Sequence, residues 1–243
     1  MIYFLSDVHL GIYKRETDKE REEFFLSFIN KIKNDCEHLF IVGDLFDYWF
    51  EYKYVIPKYF YRTITALYDL RASGTKIDYL MGNHDFGHRN FFSEELDIAV
   101  HKGDIQPIIQ EKKFYISHGD GKIKNDYAYN FVKKIFRHKL SLWLYLKLHP
   151  DWGIGLASHS SKESRKYSDK KRFGTEDSLE TFAKEKIDAG FDFVIMGHRH
   201  LLKLTQYKNG VYCNLGEWFK SPHFAVFDGN TLSLKDVKQY INK

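Results

Sequence analysis

The sequence predicts an α/β fold, on three observations. Seven short apolar runs recur along the 243 residues, each of strand length and each closed by polar punctuation. Stretches of helical periodicity lie between several of them. Five of the runs end in residues suited to holding a metal ion, at the strand ends where open α/β sheets place their sites.

The runs span 2–7 ("IYFLSD"), 38–44 ("HLFIVGD"), 76–83 ("KIDYLMGN"), 113–118 ("KFYISH"), 191–198 ("FDFVIMGH"), 210–217 ("GVYCNLGE") and 223–230 ("HFAVFDGN"). Each is rich in β-branched or aromatic residues, which fit a pleated surface. Between the first two, residues 16–34 place Phe24, Phe25, Phe28, Ile29 and Ile32 on one helical face. Residues 54–74 read as a second helix ending at Gly74, a suitable C-terminal cap. Residues 175–190 open with a capping signal and close at Gly190, predicting a helix ahead of the fifth run. The last strands, separated by turn signals such as "DGN", are expected to pair antiparallel.

Residues 122–174 interrupt this rhythm. "DYAYNFVKKIFRHKLSLWLYLKLHP" is long, basic and aromatic, and Pro150 is read as its end. A polar, Ser- and Lys-rich stretch follows over 158–172. The whole is read as a helical insertion on one domain spanning 1–243. From Lys122 to Arg172 there are thirteen Lys and Arg against four Asp and Glu, a net of +9 in a chain whose total is +4. A basic block in an otherwise mildly acidic protein suits a surface for anions, or else a solvated helical face.

The bulk composition excludes several classes. Hydrophobic residues at 43% and charged residues at 29% describe a globular protein with material for a core. Cys36 and Cys213 stand far apart, so neither a disulfide framework nor a zinc knuckle is expected and a reducing cytoplasm is the default. The opening "MIYFLSDVHL" has no basic leader and carries Asp7, so no signal peptide is expected. No stretch approaches the ~20 apolar residues of a spanning helix.

The chemistry sits after the strands. Asp7 and His9 follow the first run, Asp44 the second, Asn83, His84 and Asp85 the third, His118 the fourth, and His198 and His200 the fifth. Each motif alone has an ordinary reading as a cap, a turn or a core histidine. Five at equivalent topological positions read better as one site. Glycines beside four of them add weight, because backbone packed close to a site favours glycine. Asp7, His9, Asp44, Asn83, His118, His198 and His200 offer oxygen and imidazole donors and no thiolate, which suits Mn²⁺, Fe²⁺ or Zn²⁺. Seven ligands exceed one ion. Two divalent ions ~3.5–4 Å apart, sharing Asp44, would use them, and such a pair suits hydrolysis of phosphate esters. His84, surplus to coordination, could contact the phosphate or protonate the leaving oxygen, with Asp47 orienting it.

The pattern "DVH…GDLFD…GNHD…H…GHRH" resembles the calcineurin-like metallophosphoesterases, with every element in order from residue 7 to residue 200. The resemblance implies a four-layer sandwich of two mixed β-sheets flanked by helices. It implies one metal on Asp7, His9, Asp44 and His200, a second on Asp44, Asn83, His118 and His198, and a His84–Asp47 catalytic dyad. Mn²⁺ is taken as the first choice of metal. Within that family "LSDVHLG", "GDLFDYWF", "HGDGKIKNDYAY" and the insertion are similar to UDP-2,3-diacylglucosamine hydrolases of lipid A biosynthesis, which release UMP and a monophosphorylated lipid. That likeness implies substrate contacts at Asn83, His84, Asp126, Ser161 and Arg165. Two departures stand out. The hydrolases usually carry Gly-Asn-Arg-Asp where this chain has His84, and Arg165 and Ser168 stand where they usually carry Asn and Lys.

Phe131, Ile135, Phe136, Leu140, Trp143 and Leu144 recur at helical spacings among Lys133, Lys134, Arg137 and Lys139. Such a segment can cover acyl chains and meet the anionic inner face of a membrane, so a cytoplasmic, peripheral enzyme is expected. It can equally pack on the core. The alternative substrate is another nucleotide, nucleotide sugar or nucleic acid, with the basic block tracking phosphates. The block is aromatic and amphipathic rather than a uniform polar groove, which favours lipid over nucleic acid. A scaffold on a catalytically dead fold would have shed ligands, and all seven remain. A monomer and a homodimer are both compatible with the sequence.

Overall fold

The computed structural model describes residues 1–122, 127–171 and 178–242, with side chains at all of these except 127–130, 162–171 and 178. Eleven strands are described in two mixed sheets. The first holds β1 (Ile2–Leu5), β2 (His38–Ile41), β3 (Lys76–Leu80), β4 (Ala99–His101), β10 (His223–Phe227) and β11 (Leu232–Asp236). Its order is β11-β10-β1-β2-β3-β4. The second holds β5 (Ile108–Ile109), β6 (Lys112–Ser117), β7 (Phe193–Met196), β8 (Leu202–Tyr207) and β9 (Gly210–Leu215), in the order β5-β6-β7-β9-β8. Strands β1 to β4 run parallel, as do β6, β7 and β9; β5, β8, β10 and β11 pair antiparallel.

The alternation of side chains along each strand builds the layers. Tyr3, Leu5, Leu39, Ile41, Ile77 and Tyr79 face out from the first sheet against α1 (Arg15–Ile32) and α2 (Tyr61–Ala72). Phe25, Phe28, Ile29 and Ile32 are the buried apolar face of α1. The opposite faces meet between the sheets, where Ile2, Phe4, Phe40 and Leu80 pack on Phe114, Ile116, Phe193 and Ile195. Tyr115, Val194, Met196 and Tyr212 cover the far side of the second sheet with Leu179, Ala183 and Ile187 of α7 (Ser178–Asp188). The result is the expected four layers, helix–sheet–sheet–helix.

Several elements depart from the sequence reading. The second helix starts at Tyr61 rather than residue 54, after a 3₁₀ turn at Lys58–Phe60. Pro57 favours the extended conformation of its neighbours and delays the helix. Strand β9 pairs parallel with β7 and antiparallel only with β8, so the tail is not a simple antiparallel meander. The basic segment forms α4 (Tyr127–Phe136) and α5 (Lys139–Tyr145), divided where the His138 side chain caps the Leu140 amide. Pro150 does not end a helix but begins α6 (Pro150–Lys171), in the first turn where its missing N–H costs nothing. The Ser- and Lys-rich stretch is thus largely helical. A short α3 (Phe91–Glu94) and a final α8 (Val237–Ile241) complete the described elements.

Candidate metal centre

All five strand-end motifs meet at one end of the sandwich. The chain leaves β1, β2 and β7 by turning sharply, and Asp7, His9, Asp44, His198 and His200 all take left-handed backbone, with φ of 54°, 50°, 55°, 68° and 55°. Non-glycine residues adopt this conformation at a cost, and it concentrates at functional sites. The turns are pinned by backbone bonds from Asp7 N–H to the Gly43 carbonyl (3.1 Å), His9 N–H to Asp44 (3.0 Å) and Gly197 N–H to His118 (3.1 Å). Close packing demands glycine after β3, at Gly82, and after β2, at Gly43. A Cβ on Gly82 would stand 2.0 Å from Asp44 Oδ1, and one on Gly43 would stand 2.5 Å from His118 Nδ1.

The side chains form two adjoining clusters. In the first, Asp7 Oδ1 lies 3.2 Å from His200 Nε2 and 3.6 Å from His9 Nε2, and those two nitrogens are 3.3 Å apart. In the second, His118 Nε2 lies 3.3 Å from Asp44 Oδ2 and 3.1 Å from Asn83 Oδ1, which is 2.8 Å from His198 Nδ1. Asp44 joins them, with Oδ2 3.7 Å from His9 Nε2. Asp7, His9, Asp44 and His118 are fully buried or nearly so.

The donor set fits divalent cations. Among the described residues Asp7 Oδ1 is buried without a hydrogen-bond partner, which is costly unless something positive faces it. His118 Nδ1 donates to the Val42 carbonyl (2.9 Å), which leaves Nε2, 3.3 Å from Asp44 Oδ2, as the nitrogen that would face a cation shared with Asp44. His9 Nδ1 is 3.3 Å from Asp47 Oδ1, which places a carboxylate behind the ring at ion-pair distance. The electrostatics agree. Burial opposes ionisation of Asp7 and Asp44, yet the surrounding histidines hold both below the usual carboxylate range. Burial opposes charge on His9 as well, but Asp47 and Asp7 raise its pKa to about 10; Asp44 does the same for His118, to about 10. Burial and the neighbouring His118 push His198 down to about 4.

His84 sits at the rim of both clusters. One of its ring nitrogens lies within 4.8 Å of ligand atoms of His9 and Asp44. Its backbone N–H donates to Asp44 Oδ1 (2.8 Å), and its Nδ1 is 3.7 Å from Asp47 Oδ1. Ser161, reaching in from α6, comes within 2.8 Å of both His84 Nδ1 and Asp47 Oδ2. The structure therefore brings together the seven candidate ligands, His84, Asp47 and Ser161. Asp126 lies outside the described residues, and Arg165 falls on α6 with its side chain outside them.

Sequence reasoning overlooked the supports. Asp85, buried, accepts from Leu45 N–H (2.9 Å), Gly82 N–H (2.7 Å) and the Tyr79 hydroxyl, tying two site loops together. Arg21 of α1 donates to the Val8 and His9 carbonyls behind the first motif. Lys133 of α4 and Arg137, just after its last turn, pair with buried Asp120 (2.7 and 2.9 Å), and Arg137 also donates to the Gly82 carbonyl (2.7 Å). Only Asp85, inside the third motif, carried a signal in the sequence. Beside His118 a cavity of ≈ 210 Å³ opens between Lys102, Lys122, Lys133 and Arg137.

Comparisons with known proteins agree with this geometry. Residues 1–202 match the calcineurin-like phosphoesterase family. The UDP-2,3-diacylglucosamine hydrolase of Porphyromonas gingivalis (strain ATCC BAA-308 / W83) is 33% identical, over 98% of this chain and 97% of its own. The hydrolase of the same name from Haemophilus influenzae (strain PittGG) is 28% identical over 90% of this chain and 91% of its own. Among solved structures, an archaeal phosphodiesterase aligns with 97% of this chain and 98% of its own, at 13% identity and a TM-score of 0.48. With the family pattern complete and its residues gathered at one sheet end, the chain belongs to the calcineurin-like phosphoesterases and is a metal-dependent phosphoester hydrolase.

Proposed function

We propose that the protein hydrolyses the pyrophosphate of UDP-2,3-diacylglucosamine, giving UMP and 2,3-diacylglucosamine 1-phosphate in lipid A biosynthesis. The observation that carries the lipid reading is the face of α4 and α5. Phe131, Phe136, Leu140, Trp143 and Leu144 all stand more than half exposed, beside Lys133, Lys134 and Lys139. This face adjoins the metal centre, because α4 is tied to Gly82 through Arg137. Exposed aromatic and aliphatic side chains next to a phosphoester site suit acyl chains, and the lysines among them suit a peripheral contact with an anionic membrane surface on the cytoplasmic side. The P. gingivalis relative, which carries this substrate in its name, supports the same reading.

In this reading Asp7, His9, Asp44 and His200 hold one divalent ion, and Asp44, Asn83, His118 and His198 hold the other. Mn²⁺ is the first choice, and Fe²⁺ and Zn²⁺ fit the same donors. When bound, such a pair neutralises charge on phosphoryl oxygens and acidifies the attacking water. The chain's own residues do the rest. Asp44 and Asn83 fix the spacing of the clusters. His84 faces the phosphoryl group, where its imidazolium form could give the proton on the nitrogen opposite Nδ1 to the departing oxygen as the P–O bond breaks, leaving the neutral ring. Asp126, Ser161 and Arg165 are proposed substrate contacts, and residues 122–174 a cap on a single domain.

A parallel hydrolysis assay tests this. Mn²⁺-loaded protein is offered UDP-2,3-diacylglucosamine, bis-p-nitrophenyl phosphate and a short oligonucleotide. Stoichiometric UMP at rates far above the other two is expected. Cleavage of the generic diester without the lipid would keep the metal site and discard the substrate, pointing to another nucleotide or nucleotide sugar.

A further inference from the structure

We infer that Ser161 is a positioning residue for His84, so that the helical insertion supplies a part of the catalytic machinery as well as a cover for the substrate. This rests on the role of His84 proposed above. An ionised carboxylate can only accept, so the hydroxyl between Asp47 and His84 has one polarity. Ser161 Oγ donates to Asp47 Oδ2 at 2.8 Å, and its oxygen takes the proton of His84 Nδ1, also at 2.8 Å. The direct Nδ1 to Asp47 Oδ1 distance, 3.7 Å, is too long for a hydrogen bond. The Asp47 backbone carbonyl also approaches Nδ1, at 3.3 Å; Ser161, at 2.8 Å, is the closer acceptor and links this nitrogen to the Asp47 carboxylate.

The bridge sets the tautomer. With its proton held on Nδ1 the His84 ring is fixed, and one of its nitrogens lies within 4.8 Å of ligand atoms of His9 and Asp44. The Ser161 proton stays on Ser161; a proton given to a leaving oxygen is the Nε2 proton of the imidazolium, and the ring left behind is the neutral Nδ1–H form that Ser161 holds. Asp47 has a second task, standing 3.3 Å from His9 Nδ1, so one carboxylate steadies both a candidate ligand and, through Ser161, the candidate acid. The serine is itself buried, at 7% exposure. It is held there by the docking of the insertion: the Tyr145 ring packs 4.3 Å from Phe50, the Tyr145 hydroxyl donates to the Gly153 carbonyl, and a Cβ on Gly153 would collide with the Tyr52 hydroxyl. Movement of α6 away from the core would take Ser161 from the dyad and break this link between His84 and the Asp47 carboxylate.

The test uses bis-p-nitrophenyl phosphate, which has neither sugar nor acyl chain for the insertion to grip. A serine that only contacts the lipid substrate is irrelevant to it. Ser161→Ala is expected to lower kcat by about 10–100-fold with KM within about twofold, and Ser161→Thr to restore most of the loss. His84→Gln and the double variant His84→Gln/Ser161→Ala should then differ by no more than about twofold, because both residues act through one proton. Histidine ¹⁵N shifts on the Zn²⁺-loaded protein read the tautomer independently of turnover, and Nδ1 protonation of His84 should be lost with Ser161→Ala. Unchanged kcat on the small diester, additive losses in the double variant, or a tautomer indifferent to Ser161 would overturn the inference. Failure of the wild type to cleave the diester would instead strike the proposed function, and the nitrogen shifts would still decide the positioning.

Discussion

Asp44 is the residue on which most converges. It follows the central strand β2, approaches both histidine clusters, and accepts the His84 amide. Asp44→Ala is therefore expected to remove metal and activity together, down to the uncatalysed background, as read by metal content and diester turnover; retained hydrolysis would sink the two-ion account. Gly82→Ala tests the same carboxylate from behind. A methyl group 2.0 Å from Asp44 Oδ1 must displace it, so metal affinity should fall at least ~10-fold although no donor atom is removed. Metal titration of the variant reads this, and unaltered affinity would contradict the packing. Glu51 acts on stability instead. Its carboxylate accepts from the amides of Arg89 (2.8 Å), Asn90 (2.9 Å) and Phe91 (3.0 Å) at the start of α3, and from Trp49 Nε1 (3.0 Å). Burial pushes its pKa up, but His88, the Phe91 amide and Trp49 outweigh it and hold the pKa at about 2, below the ordinary 4.5. Because the folded value is the lower one, this contribution is complete above pH 4.5 and is lost as pH falls toward 2. Denaturant unfolding across that window should show a flatter pH dependence for Glu51→Gln, with lower stability than wild type at neutral pH. Equal slopes would refute it.

At the scale of elements, legibility followed periodicity. The α1 stripe was readable because Phe25, Phe28, Ile29 and Ile32 repeat at helical spacing and all become buried. Phe28 packs on Tyr3, Trp218 and Phe224, and Phe28→Ala should cost about 3–5 kcal/mol in denaturant melts. A loss under 1 kcal/mol would mean that this layer is not the core described. The seven apolar runs all became strands, since each carries enough β-branched or aromatic residues to fill a face. Strands β4, β5, β8 and β11 escaped notice. Strand β8, "LKLTQY", alternates half-buried and exposed residues at a sheet edge, with no apolar run to announce it. Pro150 misled because proline signals the beginning of a helix as readily as its end. The ligands were legible because their spacing is local to each turn. The Ser161 bridge was not, since it joins residues 114 and 77 positions apart and exists only once α6 docks. On the outer face of α4 and α5, a Trp143→Ser/Leu144→Ser variant should sediment several-fold less with vesicles containing anionic phospholipid, while its diester turnover stays unchanged. Equal sedimentation would remove membrane contact from this face.

Across the whole molecule, two stacked sheets deliver candidate ligands from five strand ends to one point, and the aromatic, basic helical segment brings Ser161 to its rim. No helix among the described residues is long and apolar enough to cross a membrane. The two-ion centre is the claim on which the function depends. Its most direct test is a calorimetric titration of metal-stripped protein with Mn²⁺. The account predicts two equivalents bound per chain, with both lost or severely weakened in Asp44→Ala. One equivalent in the wild type, or two undiminished in the Asp44 variant, would contradict it.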